Sequence, residues 1–163
     1  MKLNRKGFML AEVVIVSVVV ATVLVTLYTG LKNVSTAYET RNRYYDIDSL
    51  YAAMDINNIL IKNASSFINS NTALELTNDN DINEFYEFYK KTGYSIESYL
   101  TPYNSEQIIT LKNLNDNVTF DEYIDYLSGN INFNEDYNYI IIVERTNIND
   151  KDDCYYYALK LKY

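Results

Sequence analysis

Chemistry has few places to reside in this chain. Histidine is absent, which removes the commonest general base and the commonest metal ligand, and with it any Ser-His or Cys-His pair. Cys154 is the single cysteine, so no internal disulfide can form. It opens an aromatic strand and reads as a small buried hydrophobe. The four glycines are scattered and build no phosphate-cradling loop. Carboxylates are plentiful, but most fall in polar turns and helix starts, where solvation and capping account for them. Two acidic stretches carry the oxygen density that calcium wants. One is Asn78-Asp79-Asn80-Asp81, ahead of a predicted helix. The other is Asn147 to Asp153, with Asp150, Asp152 and Asp153 as candidate ligands. Lys151 in the middle of the second favours a solvated hairpin turn over a metal site. Glu12 stands apart from all of these. It lies in an apolar run, where an unpaired carboxylate costs about 2.5–3.5 kcal/mol on insertion scales, and is a functional candidate for that reason.

The element that must position Glu12 is the run KGFMLAEVVIVSVVVATVLVTLYTGL, Lys6 to Leu31. From Phe8 onward it is almost unbroken apolar sequence, longer than the ~20 residues a helix needs to cross a bilayer. A short basic leader, Met1 to Gly7, precedes it with Lys2, Arg5 and Lys6. An ordinary signal peptide has an apolar core of about 7–15 residues followed by a small-residue cleavage site. Ser35-Thr36-Ala37 imitates such a site, but the core before it is far too long. A plain signal anchor fits the length and the basic flank, yet gives no reason for Glu12 or for Gly-Phe at the junction. A buried core helix of a soluble protein is rarely apolar on every side for this distance.

The order of basic leader, Gly7, Phe8, three residues, Glu12 and a long apolar helix resembles the class III signal of type IV pilins and pseudopilins. The resemblance covers about the first fifth of the chain. It implies cleavage by a prepilin peptidase after Gly7, N-methylation of Phe8, and a role for Glu12 in assembly. It also implies a structural subunit of a type IV pilus, a competence pilus or a type II secretion-like filament, polymerised through its N-terminal helix and not an enzyme. The partners so implied are the peptidase, other pilin or pseudopilin subunits, and membrane lipid before assembly. The leader would face the cytoplasm and the rest would lie outside the cell membrane, later on a surface filament. Met9 stands where the family more often has threonine or serine, and Thr29-Gly30 where many major pilins carry a proline; a minor subunit is therefore implied. Some major pseudopilins bind calcium in a loop near the chain end, the position of the Asp150–Asp153 stretch. The alternative is a single-pass anchored surface binding domain that never polymerises.

Composition sets outer bounds. The 163 residues carry a net charge of −8, and an acidic surface of this kind argues against direct nucleic-acid binding. The length allows an anchor and one modest domain, divided as a leader over 1–7, a transmembrane or filament-core half-helix over 8–31, and an extracytoplasmic domain over 32–163. No Gly or Pro interrupts between Gly30 and Gly93, and Leu31, Val34, Tyr38, Tyr45, Ala52 and Ile59 recur near a heptad spacing. One helix from Phe8 to the low 60s is therefore expected, its second half lying on the domain. Beyond it, Ala73 to Leu76 alternates like a short strand. Asp81 to Glu84 forms a capping box that opens a helix to about Lys91, with Phe85, Phe88 and Tyr89 inward. Gln107 to Leu111 reads as a strand, and Thr119 to Ser128 as a helix. Tyr137–Glu144 and Cys154–Tyr163 read as a hairpin joined by a polar turn. In its second strand Leu159 and Leu161 share one face and Lys160 and Lys162 the other. The expected fold is α+β, a long helix packed on a small antiparallel sheet, as in pilins.

Overall fold

The computed structural model describes residues 5–62, 71–76 and 80–162. Most of the polar zone between Asn63 and Asn80, half of the first acidic stretch, and Tyr163 lie outside these residues. The architecture is α+β, with a long apolar N-terminal helix and a four-stranded antiparallel sheet in the order β1-β2-β3-β4. The chain divides into two compact units, Met1–Arg41 and Asn42–Tyr163.

Helix α1 runs Arg5–Tyr44 and α2 runs Ile47–Lys62. The helical stretch expected as one element is thus interrupted at Tyr45–Asp46, and the cause is chemical. Asp46 caps α2: its Oδ2 accepts from the Ser49 backbone N–H at 2.9 Å and from the Ser49 hydroxyl at 2.8 Å. Its carbonyl accepts the first helical bond, from Leu50 N–H at 3.0 Å. Short acidic side chains favour this half-helical position because they satisfy amides the helix leaves unpaired. A tertiary contact fixes the break: the Asp46 amide donates to the Tyr156 carbonyl at 3.2 Å, and Arg145 grips its carboxylate at 2.9 and 3.0 Å. The buried face of α2 starts afresh from the cap at Ser49, Ala52, Ala53, Ile56 and Leu60, whereas Val34, Tyr38, Tyr45, Met54 and Ile61 are exposed.

The sheet consists of β1 (Leu74–Glu75), β2 (Tyr94–Pro102), β3 (Tyr139–Asn147) and β4 (Asp150–Leu161). Both of its faces are covered. On one, α2 and α3 (Asn80–Lys90) bury Ile96, Leu100, Ile141, Val143 and Leu161. On the other, α4 (Ser105–Thr110), a 3₁₀ turn at Leu111–Asn113 and α5 (Val118–Asn130) bury Tyr99, Ile140, Ile142, Cys154 and Tyr156. Burial on two sides explains why β3 reads YIIIV rather than alternating. It also corrects the one-sided sheet expected from β4. Leu159 and Leu161 do face the α2 side, but Ala158 packs on the α5 side, and Lys160 and Lys162 pair with Glu135 and Asp136.

Gln107–Leu111 is helical, not a strand, because Asn104 caps the segment, its side chain accepting from Glu106 N–H at 2.8 Å. The inner face of α3 is Ile82, Phe85, Tyr86 and Tyr89, and Phe88 is exposed. Gly93, at φ +90°, turns the chain from α3 into β2 in a conformation that side chains strain. Strand β4 begins at Asp150, so the turn expected over Asn147–Asp153 shrinks to Ile148-Asn149, with Asn147 opposite Asp150.

Arg145 binds the start of α2 to the sheet from a buried position, between the rings of Tyr94 at 4.3 Å and Tyr155 at 4.6 Å. Burial by itself disfavours the guanidinium, but the hydrogen bonds and charge of Asp46 outweigh it and hold its pKa above the ordinary value. Removing one partner of such a pair strands the other charge. Arg145→Ala is expected to lower unfolding free energy by about 3 kcal/mol in chemical denaturation. Asp46→Asn, which keeps the cap and leaves Arg145 its tyrosine faces and Asp48, is expected to cost less than half of that.

Candidate functional site

Two features of the molecule need an explanation beyond folding. The first is on α1. Every residue from Met9 to Leu31 is exposed, and the helix is long and apolar enough to cross a membrane. Valine dominates it, a residue of modest helix propensity in water but well suited to an environment where the backbone must satisfy its own hydrogen bonds. Its small polar side chains follow the same rule. The hydroxyls of Ser17, Thr22, Thr26 and Thr29 each donate to the carbonyl four residues earlier, at 2.7–2.9 Å. Glu12 is the one charged side chain between Met9 and Leu31. It is exposed, one helical turn beyond Phe8, and no described residue pairs with it. Gly7 and Phe8 lie in the opening turns of α1; their side chains are outside the described set.

The second feature is a buried carboxylate in the other unit. Glu144, near the end of β3, is 3% exposed and directly opposite Glu97 of β2 in the ladder. Like charges in this position repel, and donors from every side offset it. Glu144 accepts from Asn115 Nδ2 at 2.6 Å, Asn117 Nδ2 at 2.9 Å, and the hydroxyls of Thr146 and Tyr156 at 3.3 Å. Glu97 takes the Tyr99 hydroxyl at 2.8 Å. Asn117 also caps α5, its side chain accepting from Thr119 N–H at 3.0 Å, so the segment that starts α5 is the one that satisfies Glu144. Glu97, Glu144, Asn115, Asn117 and Thr146 are among the residues lining an open cleft of about 730 Å³. Cys154 is buried beside them, its thiol donating to the Lys151 carbonyl at 2.8 Å.

The sequence-derived candidates fall in different units. Gly7, Phe8 and Glu12 belong to the first unit, and Asp150, Asp152 and Asp153 to the second. The three aspartates lie along β4, where Asp150 Oδ1 accepts from the Asp152 amide at 3.1 Å and Asp153 Oδ2 from Asn147 Nδ2 at 3.2 Å. Among the described residues no cluster of three Asp, Glu, Cys or His side chains is spaced to hold a metal ion. Asp46, Arg145 and Glu144 went unremarked in the sequence. The signal for the last two was available, since Glu-Arg directly after Tyr-Ile-Ile-Ile-Val puts two charges inside a strand otherwise apolar enough to be central.

Compared with known proteins, the chain matches no protein family, no curated protein and no solved structure.

The carboxylate core has a pH signature. Burial first, and the charge of Glu97 second, raise the Glu144 pKa above its ordinary 4.5. A carboxyl raised on folding holds its proton more tightly in the folded state. Its contribution is therefore most favourable below the unfolded value and is lost as pH rises through the folded one. Thermal melts are expected to show stability falling as pH rises above 4.5, by a slope that Glu144→Gln removes. The variant should also be less stable at every pH, because its amide nitrogen meets the amides of Asn115 and Asn117.

Proposed function

We propose that this chain is a structural subunit, of the minor pilin or pseudopilin kind, of a type IV pilus, competence pilus or type II secretion-like filament. The observation that carries the reading is the wholly uncovered apolar stretch Met9–Leu31, with Glu12 as its one charge, directly after Gly7-Phe8 and a basic leader. A side chain the size of valine or leucine gains about 1.5–3 kcal/mol when removed from water, so a surface of this length requires lipid, protein or both in turn. A pilin uses both. It is held in the membrane by the helix, with Lys2, Arg5 and Lys6 on the cytoplasmic side. It is then trimmed after Gly7, methylated on Phe8, and drawn into a filament whose core is a bundle of such helices. An α+β domain with a helix laid across an antiparallel sheet agrees with a pilin-like fold.

In this reading the second unit is the part displayed on the filament surface, and the protein has no catalytic duty. Glu12 acts in assembly. Cleavage converts the Phe8 nitrogen from an uncharged amide into a basic amine, so processing creates the cation that a carboxylate in an apolar setting needs. Within one chain the two groups are four residues apart on a helix; between chains the same pairing would set the axial step of the filament.

Processing is the test. N-terminal sequencing of protein extracted from host membranes is expected to begin at Phe8, N-methylated, and Gly7→Val is expected to leave the leader in place because the peptidase needs a residue without a side chain there. Protein beginning at Met1 would indicate a plain membrane anchor, and protein beginning at Tyr38 an ordinary secreted one.

A further inference from the structure

A second concave surface lies wholly within the Asn42–Tyr163 unit, between α5, β4 and the two tyrosines that end the first helical stretch. Tyr44, Tyr45, Tyr126, Tyr137 and Tyr157 are among the residues that line it, and its volume is about 440 Å³, inside the ~300–1,000 Å³ range of small-ligand sites. The rings of Tyr44, Tyr45 and Tyr126 are held rather than loose. Tyr44 packs on Tyr126 at 4.8 Å between centroids and on the buried Tyr123 at 5.1 Å. Tyr45 meets Tyr126 edge-on, at 6.3 Å and 86°, and their hydroxyls are hydrogen-bonded at 3.0 Å. Aromatic rings fixed in this way present flat apolar faces at little entropic cost.

The polar lining narrows the ligand class. The one charged residue in the lining is Lys160; it is engaged by Glu135, and its ammonium lies 5.5 Å from the Tyr137 ring centroid. No carboxylate lines the cleft. The remaining polar groups are mainly phenol hydroxyls, each able to donate and to accept. A hydrogen bond with Tyr45, and burial after it, push Tyr126 up to about 12. An anionic polymer would find no uncommitted cation here and a protein of net charge −8. A purely apolar ligand would make no use of the donor and acceptor capacity that the Tyr45–Tyr126 hydroxyl pair retains. A neutral sugar has the complementary arrangement, a flat C–H face edged by hydroxyls that both donate and accept.

We infer that this tyrosine cleft is a binding site for a neutral oligosaccharide, the sugar rings stacking on Tyr45, Tyr126 and Tyr157. The site is complete within one unit, so the inference stands whether or not the chain polymerises.

The test uses the full chain in a zwitterionic, sugar-free detergent, titrated with chitotriose and with cellotriose and followed by NMR. Binding of at least one is expected to be saturable, with sugar ring protons shifted upfield by the tyrosine ring currents. Tyr45→Ala and Tyr157→Ala are each expected to weaken it about tenfold. Tyr45→Phe, which retains the ring and the fold, should weaken it less. Sulfated chitotriose should not bind. The inference is overturned if neither neutral trisaccharide binds at millimolar concentration, if the folded variants bind as well as the wild type, or if the sulfated sugar or a proline-rich peptide binds in preference.

Discussion

Much of this molecule follows from one constraint, that the apolar surface of Met9–Leu31 is exposed among the described residues. Globular domains are stable by only about 5–15 kcal/mol, and a few exposed valines and leucines at about 1.5–3 kcal/mol each reach that sum. The segment is long and apolar enough to cross a membrane. Its internal chemistry agrees, since the serine and threonine hydroxyls bond to their own helix, as polar groups in lipid must. Glu12 remains as the one charge between Met9 and Leu31, with no partner among the described residues.

The second unit solves the opposite problem, how to bury charge within a small core. Arg145 and Glu144 are adjacent on β3 and point to opposite faces of the sheet, and each is met by a device that also starts a helix. Asp46 answers Arg145 and caps α2; Asn117 answers Glu144 and caps α5. Helix starts on both faces are thereby tied to neighbouring residues of one central strand. Such pairs contribute less to net stability than to fixing one arrangement, because desolvation offsets much of their attraction.

Sequence patterns carried a good part of this. The apolar run, the short strand at Leu74, the helices near Ile82 and Thr119, and the final hairpin were legible because each has a period or a cap in its own residues. The break at Tyr45–Asp46 was not legible. No Gly or Pro marks it, and Asp46 is one of many Asn and Asp residues in the chain able to cap a helix; a partner 99 positions away makes the difference. At Gln107–Leu111 two adjacent isoleucines fit a strand as well as a short helix, and the Asn104 cap decides for the helix. The second covered face of the sheet was hidden in β4, where Lys160 suggested solvent, although the uninterrupted isoleucines of β3 already required cover on both sides. The turn expected over Asp150, Asp152 and Asp153 rests on a run of polar residues; of the three, Asp150 has a partner on β3, Asn147, and Asp152 and Asp153 fall at the register shift before Cys154. For Glu12 and its neighbours the sequence remains the main source, since their significance lies in what other molecules do with them.

The central proposal, polymerisation through the N-terminal helix, depends on the charge of Glu12 more than on any other single atom group. Glu12→Gln keeps the size and removes the charge, so the measurement is the distribution of this variant between the membrane and filaments sheared from the host. Normal insertion and cleavage are expected, with the Gln protein accumulating in the membrane and missing from the sheared fraction. Recovery of Glu12→Gln in filaments at the wild-type level would contradict it.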